Sequence, residues 1–457
     1  MWNMRISVCW FRKDLRLNDN PAWNSACSDG DVIPVFVLEP SMLESASQRK
    51  KDVMFSNLMA LKAELESLGG YLNFIEGPAR QALPDLLTKW GATSLHFNND
   101  HSPMAKSRDD RIDETLNIDV VRHWGNLIQP PGAVVSGTGA VHKVFTPYFK
   151  RWVNVDTPNY QAYPTPRFCP QPQGSSTLPP VVEPPAFPTG SAGAHERLVT
   201  FLNGIEDYEE TRDFPSVQGT SLLSCDLHFG TIGPREILAL VDQETDSSRA
   251  FIRQLAWRDW YAHLMNASPE ILNSPANPVY NNIEWRNNTE EFDLWVQGKT
   301  GYPIVDAGMR ELKETGFMHN RVRMITGSFL VKHLLIDWRW GEQYFRHTLI
   351  DGDTSQNVGN WQWVAGTGFD AAPYFRIFNP IRQSEKFDKE GIYIRKWVPE
   401  LASLSSKQIH SPWEINKKSP ELTSVCLGED YPFPIVEHSF ARERCLETYK
   451  RARSEGT

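Results

Sequence analysis

One segment of the chain, residues 316–380, concentrates side chains whose types and spacing could do chemistry. Tryptophan and tyrosine rings recur along it at helical spacing. Amide, carboxylate and guanidinium groups are interspersed with these rings: Asn320, Arg321, Arg323, Asp351, Asp353 and Asn357. Aromatic faces beside convergent polar groups suit a large, flat, redox-active ligand. The segment therefore predicts a site for such a ligand, which the rest of the chain must support.

Other chemistries find less support in the sequence. The six cysteines are scattered, without a C-x-x-C pair or a histidine at metal-ligand spacing, which predicts reduced thiols and no zinc site. Gly137 and Gly139 begin a dinucleotide-binding pattern, but His142 stands where the third glycine is needed. Residues 219–224, GTSLLS, offer hydroxyl and amide groups to a phosphate, although such clusters cap helices more often than they bind phosphate.

The first 125 residues or so alternate strand and helix patterns. Short β-branched or aromatic runs predict strands, and apolar residues at helical spacing predict helices between them. The predicted strands cover residues 6–11, 32–37, 71–76, 94–98 and 118–122, and the predicted helices 50–68, 81–90 and 103–116. This order predicts a doubly wound, Rossmann-like α/β domain. Ligands of such sheets bind beyond the carboxyl ends of the strands, here after Phe11, Val37 and Asn98.

From about His195 the alternation ends and helical patterns continue, including one predicted helix over residues 320–338. We predict an α/β domain over residues 1–130, an interdomain linker over 131–194 and an all-α domain over 195–457. The charged run of residues 12–21 forms either surface ion pairs or pairs that fix the first strand-to-helix loop, and its density favours the second.

Length and composition fit an ordinary globular protein. A chain of 457 residues is longer than a single hydrophobic core usually supports, so two domains are the simplest arrangement. The net charge of −9 excludes a uniformly basic surface but leaves room for a local basic face. Charged residues interrupt the N-terminal segment, and no apolar run approaches about 18 residues. We predict a cytoplasmic protein without a membrane segment.

Motifs along nearly the whole chain resemble those of the photolyase/cryptochrome flavoproteins. They occur in the family's order: WFRKDLRLNDNP, KVFTPYFKRW, YEETRDFPSVQGTSLLS, WRDWYAHL, GKTGYPIVDAGMR, MHNRVRM, DGDTSQNVGNWQW, PYFRIFNPIRQSEKFD and YPFPIVEH. The series looks closest to the bacterial class I cyclobutane pyrimidine dimer photolyases. This resemblance implies an α/β antenna domain followed by a helical domain that binds FAD.

The resemblance also implies which residues bind the cofactor. Those at the positions of the family's FAD ligands are Tyr208, Thr220, Ser221, Leu222, Leu223, Ser224, Phe251, Arg258, Arg323, Asp351, Gly352, Asp353 and Asn357. Asn357 would face flavin N5 and help to hold the reduced anion. Arg323 would pair with Asp351 near the flavin, although a structural ion pair would look the same. Because Leu222 replaces a basic residue frequent in the family, phosphate binding would depend more on backbone amides.

For the substrate, the resemblance implies UV-damaged DNA. Excited reduced FAD would pass an electron to a flipped-out cyclobutane dimer, the ring would open, and the electron would return. Residues implied in binding the lesion or the DNA are Arg212, Gln254, Trp257, Asn320, Met324, Trp363 and Gln383. Trp257 and Trp363 would form the aromatic walls of the pocket. Further basic residues would contact phosphates at its rim: Arg382, Lys386, Arg395 and Lys396.

Three tryptophans match the family's electron-transfer chain from the surface to oxidised flavin. They are Trp361, Trp338 and Trp295, although core packing alone would explain any one of them. Trp340 is an additional ring to which the resemblance assigns no part.

Two alternative functions follow from the same resemblance. Gln254 stands where many class I members have glutamate, and glutamine also occurs there in (6-4) photolyases. Those enzymes place a histidine pair in the segment that reads MHNRVRM here, where His319 is the one histidine, so the cyclobutane lesion is favoured. A cryptochrome-like blue-light sensor without repair activity is the other alternative, and the two pocket tryptophans with Asn320 favour repair. We expect a monomer.

A second, antenna chromophore is expected from residues 97–111. Met104 and Ala105 stand at the positions of the Asn-Glu pair of folate-binding members, whereas Pro103 and the Arg108-Asp109 pair are nearer to the deazaflavin type. The resemblance therefore favours deazaflavin over methenyltetrahydrofolate. Another flavin or an empty pocket are the remaining alternatives.

Overall fold

The N-terminal part of the chain forms a parallel β-sheet. The computed structural model describes residues 5–414 and 425–455. The strands of the sheet are β1 (Ile6–Phe11), β2 (Asp31–Leu38), β3 (Asn73–Glu76), β4 (Ser94–Asn98) and β5 (Asp119–His123). They lie in the order β3-β2-β1-β4-β5, and every neighbouring pair is parallel. The strand order reverses at β1, so the predicted doubly wound fold is confirmed.

Helices cover most of the remaining described residues. In chain order they are α1 (Pro21–Asp29), α2 (Pro40–Glu44), α3 (Gln48–Ser67), α4 (Ala79–Trp90), α5 (Pro103–Thr115), α6 (Phe145–Trp152), α7 (Gly190–Leu202), α8 (Tyr208–Thr211), α9 (Ser224–Phe229), α10 (Pro234–Leu240), α11 (Asp246–Ala267), α12 (Thr289–Gln297), α13 (Pro303–Thr315), α14 (Asn320–Ser328), α15 (Trp338–Thr348), α16 (Thr354–Ala365), α17 (Pro380–Phe387), α18 (Ile392–Trp397) and α19 (His438–Glu455). Short 3₁₀ turns lie at Ile205–Asp207, Pro269–Leu272, Pro278–Asn282 and Pro399–Leu401. The helices predicted in the α/β region are confirmed as α3, α4 and α5.

Strand β1 is covered on both of its faces. Cys9 and Phe11 pack in a core with side chains of α1 and α3. Val8 and Trp10 pack on the opposite face with side chains of α4 and α5. Burial of both faces explains why this strand is apolar almost throughout instead of alternating with polar residues.

The charged loop after β1 is buried and fixed by hydrogen bonds. The Asp14 carboxylate accepts from the backbone N–H of Arg12 at 2.6 Å and from Nδ2 of Asn98 at 2.5 Å. Arg16, only 1% exposed, donates to backbone carbonyl oxygens, including that of Gly230 at 3.0 Å. The interpretation of this run as a structural loop is confirmed.

The single helix predicted over residues 320–338 is wrong. Helix α14 ends at Ser328, and a π-helical turn, Phe329–His333, follows it. Leu335 then adopts a left-handed backbone conformation with φ of 51°, which ends the helical path before α15 begins. Residues 329–336 are all buried, so their side chains lack the polar face that would have shown the break.

The chain packs as two compact units. The first comprises Met1–Tyr208, Ser221–Pro269 and Ile350–Ser355, and the second comprises Glu209–Thr220, Glu270–Leu349 and Gln356–Thr457. In the first unit, the segment that precedes α7 is tied to α3: Asp52 accepts from the backbone N–H of Val182 at 2.8 Å, and Asn57 from that of Gly190 at 2.7 Å. Among the described helices, none has the length and apolar character needed to cross a membrane.

Candidate functional site

Asn357, on α16 in the second unit, is held by a buried carboxyl side chain. Its Nδ2 donates to the backbone oxygen of Glu342 at 2.8 Å and to Oε1 of the same residue at 3.0 Å. Asn357 is 9% exposed and Glu342 is 3% exposed. Because both donor positions of the amide are used, its Oδ1 is the atom left to accept a hydrogen bond from a ligand.

The carboxyl group of Glu342 is itself perturbed by this position. Burial raises its pKa, while Arg346, whose Nη2 lies 3.3 Å from Oε2, and the Asn357 amide act in the opposite direction. The ionised carboxylate of Glu342 accepts a stronger hydrogen bond from the Asn357 amide than the protonated acid does, so the strength of this contact depends on the protonation of Glu342.

Trp361 follows Asn357 by one turn of α16 and is 3% exposed. Its ring packs edge-to-face on Trp295, with centroids 6.2 Å apart, and on Phe345 at 5.0 Å. A Cβ atom at position 341 would lie 2.1 Å from Cη2 of Trp361. The glycine inside α15 therefore makes room for this ring.

The other two tryptophans of the predicted chain are also buried. Trp295 is 0% exposed and donates its Nε1 to the backbone oxygen of Thr326 at 3.1 Å, and Trp338 is 1% exposed. Within residues 5–414 and 425–455, the ring contacts of Trp361 run to Trp295 and Phe345, and none runs to Trp338. The electron-transfer role of these three tryptophans stays a prediction.

The N-terminus of α14 carries the predicted lesion contacts Asn320 and Met324. His319 caps this helix, because its Nδ1 accepts from the backbone N–H of Arg321 at 3.2 Å. Burial lowers the pKa of His319 to about 4, so its ring is neutral at physiological pH. Nδ2 of Asn320 lies 3.8 Å from Sδ of Met324, and Asn320 is exposed.

Arg321 and Arg323 have different partners in the second unit. Arg321 forms an ion pair with Asp213 at 2.7 Å and lies 4.2 Å over the ring of Phe387. It thereby ties the segment that carries the predicted contact Arg212 to helix α17. Nε of Arg323 donates to the backbone oxygen of Met318 at 2.7 Å.

In the first unit, Tyr208 and Phe251 form an aromatic corner. Both are buried, with their rings edge-to-face at 5.6 Å. The loop of residues 219–224 follows Tyr208 in the sequence. Within it, Leu222 adopts a left-handed backbone conformation with φ of 55°, and its side chain is 47% exposed. Oγ of Ser221 accepts from the backbone N–H of Leu223 at 3.3 Å. A strained non-glycine residue in a turn of hydroxyl side chains is typical of a ligand-binding loop.

Two lysines meet the turn of residues 351–353 in the first unit. Nζ of Lys50 donates to the backbone oxygen of Gly352 at 3.0 Å, and Nζ of Lys13 lies 3.6 Å from Asp353. Burial, and after it the charge of Lys13, lowers the pKa of Lys50 to about 8, although Asp351 and Asp353 oppose this shift. Burial acts to lower the pKa of Lys13, but Asp100, 3.1 Å away, and Asp353 raise it, so this lysine stays protonated. The turn therefore has one firmly charged ammonium group and a second that loses its proton more easily.

Helix α11 presents four of the predicted contacts. Nε2 of Gln254 donates to the backbone oxygen of Ala250 at 3.0 Å, which leaves its Oε1 as an acceptor. The half-buried Trp257 stacks on Phe145, with centroids 3.7 Å apart and an angle of 10° between the rings. Arg258 donates to the backbone oxygen of Leu227 at 3.1 Å. Phe251, the fourth, lies in the aromatic corner described above.

Comparison with known proteins decides the family. The model of DNA photolyase matches residues 7–167, and the model of the FAD binding domain of DNA photolyase matches residues 251–451. Proteins named deoxyribodipyrimidine photo-lyase from Agrobacterium fabrum and Escherichia coli are 41% and 40% identical. The alignments cover 97% of this chain and 97% of the first relative, and 98% of this chain and 99% of the second. The chain belongs to the DNA photolyase family.

Solved structures of this family are similar in fold. A bacterial class III photolyase from Agrobacterium tumefaciens matches with a TM-score of 0.93 and 38% identity, over 99% of each chain. An archaeal photolyase from Sulfolobus tokodaii with two FAD molecules matches at 0.86 and 33% identity, over 98% of this chain and all of that one. A Synechocystis sp. PCC6803 cryptochrome matches at 0.90 and 30% identity, with the same coverage.

FAD, the cofactor expected from the sequence, is supported by the matched FAD-binding domain. The side chains also fit it. The ammonium groups of Lys13 and Lys50 suit a diphosphate. The free acceptor Oδ1 of Asn357 suits the N–H group of a reduced flavin ring.

The remaining predicted contacts lie on the second unit. Trp363 is half-buried on α16, and its carbonyl oxygen accepts from the backbone N–H of Ala372 at 3.3 Å. Gln383 is half-buried on α17, where Arg382 and Lys386 are exposed. Arg395, predicted at the DNA rim, donates to the backbone oxygen of Leu404 at 2.5 Å. Thr220 is half-buried at the end of its segment.

The segment predicted to bind an antenna chromophore lines a cavity of about 400 Å³ in the first unit. Its walls come from α5 and the end of α11 and include His101, Lys106, Ser107, Arg111, Met265 and Asn266. Asp109 is 1% exposed and pairs with Arg12 at 2.6 Å and with Arg108 at 2.9 Å. The Arg108-Asp109 pair therefore has a structural use in this chain.

Sequence reasoning missed Glu342, Lys13 and Lys50. Glu342 follows Gly341 inside a helix, and nothing in its spacing relates it to Asn357. Lys50 meets Gly352 across 302 positions of the chain. Only for Lys13 was there a signal, since it stands in the loop after β1, where ligands of doubly wound sheets bind.

Proposed function

We propose that this protein repairs cyclobutane pyrimidine dimers in UV-damaged DNA by light-driven electron transfer. Reduced FAD, when bound, supplies the electron that splits the dimer. The observation that carries this proposal is the Glu342–Asn357 contact. It orients an amide oxygen that stabilises the reduced, electron-donating form of a flavin by accepting from its N–H group.

The protein's own residues would bind and orient. The hydroxyl and amide groups of residues 220–224, with Lys50 and Lys13, would hold the cofactor phosphates. Trp257, braced by Phe145, and Trp363 would give flat walls to a flipped-out dinucleotide, because every base presents a π-face to an aromatic ring.

Polar groups would then contact the lesion and its backbone. Oε1 of Gln254 and the exposed amide of Asn320 are suited to the base edges. Arg212, Gln383 and the exposed Arg382 and Lys386 would position the phosphates without reading sequence. Binding of damaged DNA should therefore weaken as salt is raised.

The experiment that tests this function measures repair in a defined oligonucleotide. The purified protein, with its flavin chemically reduced, receives an oligonucleotide with one thymine cyclobutane dimer under blue light, with a dark control. An equal sample receives a (6-4) photoproduct. Light-dependent loss of the cyclobutane dimer alone supports the proposal. Repair of neither lesion by protein that binds and photoreduces FAD would contradict it.

A blue-light sensor is the second candidate function. It is favoured by the fold similarity to the Synechocystis cryptochrome. The (6-4) lesion finds less support, because His319, the one histidine of its segment, is neutral and used as a helix cap. The two-lesion experiment separates all three functions.

We further propose that an antenna chromophore binds in the cavity between α5 and the end of α11. The sequence of residues 97–111 favours deazaflavin over methenyltetrahydrofolate as this chromophore. A second flavin is the other candidate, because the Sulfolobus tokodaii photolyase contains two FAD molecules. Extraction of the native protein and fluorescence spectra of the released chromophore distinguish these three and an empty cavity. We also propose a monomer, which light scattering of the purified protein tests.

A further inference from the structure

His101, in the loop between β4 and α5 of the first unit, is joined by hydrogen bonds to the turn of residues 351–353. Its Nε2 lies 2.8 Å from Oγ of Ser355. That hydroxyl group donates to Oδ1 of Asp353 at 2.8 Å. Because a hydroxyl group has one hydrogen to donate, Nε2 of His101 carries a proton and is the donor to Ser355. The imidazole therefore orients the Asp353 carboxylate through one hydroxyl group.

The residue before His101 acts on the same carboxylate by charge. Asp100 lies 3.1 Å from Nζ of Lys13, which in turn lies 3.6 Å from Asp353. Asp100 also accepts from the backbone N–H of Ser102 at 2.8 Å, just before α5 begins. Burial acts to raise the pKa of Asp353, but Lys13 and the hydrogen bond from His101 lower it well below its ordinary value. The loop therefore holds an ionised Asp353 in one orientation.

His101 is also part of the wall of the cavity proposed for the antenna chromophore. This cavity, of about 400 Å³, lies between α5 and the end of α11. Only 8% of the His101 surface is exposed, so a ligand that fills the cavity covers most of what remains. Such a ligand would restrict the imidazole to the position from which it donates to Ser355.

We propose that His101 is a positioning residue that couples the antenna cavity to the FAD site, so that each chromophore binds more tightly when the other is present. The inference rests on the proposed function, because it requires FAD beside Lys13 and Asp353 and a chromophore in the cavity. A chromophore against His101 would order the side chains that orient Asp353, so FAD would meet a turn that has already lost its freedom. The coupling is reciprocal, because both ligands shift the same equilibrium.

The test measures the dissociation constant of FAD for the full-length protein stripped of its flavin, with and without a probe in the cavity. The probes are a deazariboflavin, flavin mononucleotide and methenyltetrahydrofolate, each at saturating concentration. Equilibrium dialysis with chromatographic quantification of FAD avoids interference from the fluorescence of the probes. Thermal unfolding and circular dichroism show which stripped variants are folded.

Three substitutions isolate the role of the imidazole. His101→Ala removes the donor to Ser355, whereas His101→Gln retains an N–H donor on a side chain of similar length. The matched control is His123→Ala, because His123 is a half-buried histidine on β5 whose ring stacks on that of His96, with centroids 6.3 Å apart. This control shows what the loss of a histidine ring elsewhere in the same sheet does to FAD binding.

At least one probe should bind to the wild type and tighten FAD binding about fivefold, and FAD should tighten the binding of that probe by the same factor. His101→Ala should bind FAD about fivefold more weakly than the wild type, the equivalent of one hydrogen bond, and its FAD affinity should not respond to the probe. His101→Gln should recover most of both effects, and His123→Ala should behave as the wild type. Hydrogen exchange at residues 351–355 should slow when the probe binds to the wild type and not when it binds to His101→Ala.

The coupling is overturned if no probe binds, if FAD affinity is the same with and without a bound probe, or if His101→Ala keeps the full response. Ser107→Trp checks where the probe binds, because Ser107 lies in the cavity wall on α5 and the new ring would occupy the cavity. This variant should lose probe binding while His101 remains in place. Probe binding that survives Ser107→Trp would lie outside the cavity and would also overturn the coupling.

Failure of this inference and failure of the proposed function are distinguishable. The repair reaction assigned to reduced FAD requires no chromophore in the cavity. Repair of the cyclobutane dimer by wild-type protein without coupled binding would overturn the inference alone. Coupled binding in a protein that repairs neither lesion would overturn the repair function and leave the role of His101 in place.

Discussion

Nδ2 of Asn357 donates to Oε1 of Glu342 at 3.0 Å and to the backbone oxygen of the same residue at 2.8 Å. One residue of α15 thus supplies both acceptors and fixes the orientation of an amide on α16. Side chains held by such contacts lose little freedom when a ligand binds, which makes Asn357 a preorganised acceptor.

Glu342→Leu should destabilise the reduced flavin, because Asn357 loses the carboxyl acceptor and its amide is then held by the backbone oxygen of residue 342 alone. We expect reduced flavin in this variant to reoxidise in air about five- to tenfold faster, the equivalent of one hydrogen bond of about 1 kcal/mol. The flavin absorbance after photoreduction measures this rate. Gln343→Leu, at the exposed neighbouring position, is the control. Equal reoxidation of Glu342→Leu and wild type would remove Asn357 from the proposed role.

Gly341→Ala should disturb Trp361 directly. The new Cβ would lie 2.1 Å from Cη2 of an indole ring that is packed on Trp295 and Phe345 and has little room to move. We expect a loss of about 1–3 kcal/mol in unfolding free energy and slower photoreduction. Gly327→Ala is the matched control, since its Cβ would lie 3.6 Å from Cζ3 of the same ring, an ordinary contact. Similar melting temperatures and photoreduction rates for the two variants would contradict this account.

Lys50→Met should weaken FAD binding by the apoprotein about 10- to 100-fold at pH 7, the equivalent of one charge-assisted hydrogen bond. Because burial lowers the pKa of Lys50 to about 8, its ammonium group loses its proton as the pH rises through that value. Wild-type affinity should therefore decline above pH 8, and the affinity of Lys50→Met should change less. Fluorescence titrations from pH 7 to 9 measure both. Lys62→Met, which removes a surface lysine paired with Glu66, is the control. Parallel pH curves for wild type and Lys50→Met would exclude Lys50 from the phosphate site.

The sequence predicted features that depend on local interactions better than features that depend on contacts between distant segments. Strands such as β1 and helices such as α3 were predictable, because local apolar patterns record which faces are buried. Contacts between distant segments leave no such record. The lysine at position 50 meets Gly352, and Glu342 meets Asn357, only because the fold brings their elements together. The break after α14 was hidden for a different reason, since Leu335 turns inside a fully buried stretch without a polar face.

Lys332 is a buried lysine in the π-helical turn of the second unit. Its Nζ donates to the backbone oxygen of Ala365, the last residue of α16, at 2.7 Å and lies 3.8 Å over the ring of Tyr449. Burial lowers its pKa to about 8, and the opposing effect of Cys445 is smaller. The unfolded chain, in which a lysine has a pKa of about 10.4, binds more protons between these two values.

Stability of the wild type should therefore gain from Lys332 as the pH rises from about 8 to about 10, because the folded state no longer has to enclose a charge. Lys332→Met should lack this gain. Since Lys50 also has a lowered pKa, the quantity to measure is the difference between wild type and variant in urea unfolding at pH 7, 8, 9 and 10. A difference that changes little up to about pH 8 and grows above it confirms that the ammonium is buried as a charge at neutral pH. Growth that begins already at pH 7 would mean that the folded state holds Lys332 neutral there. A constant difference would mean that its pKa is the same in the folded and unfolded chain, and the end of α16 would then depend on Tyr449, whose hydroxyl donates to the same oxygen at 2.7 Å.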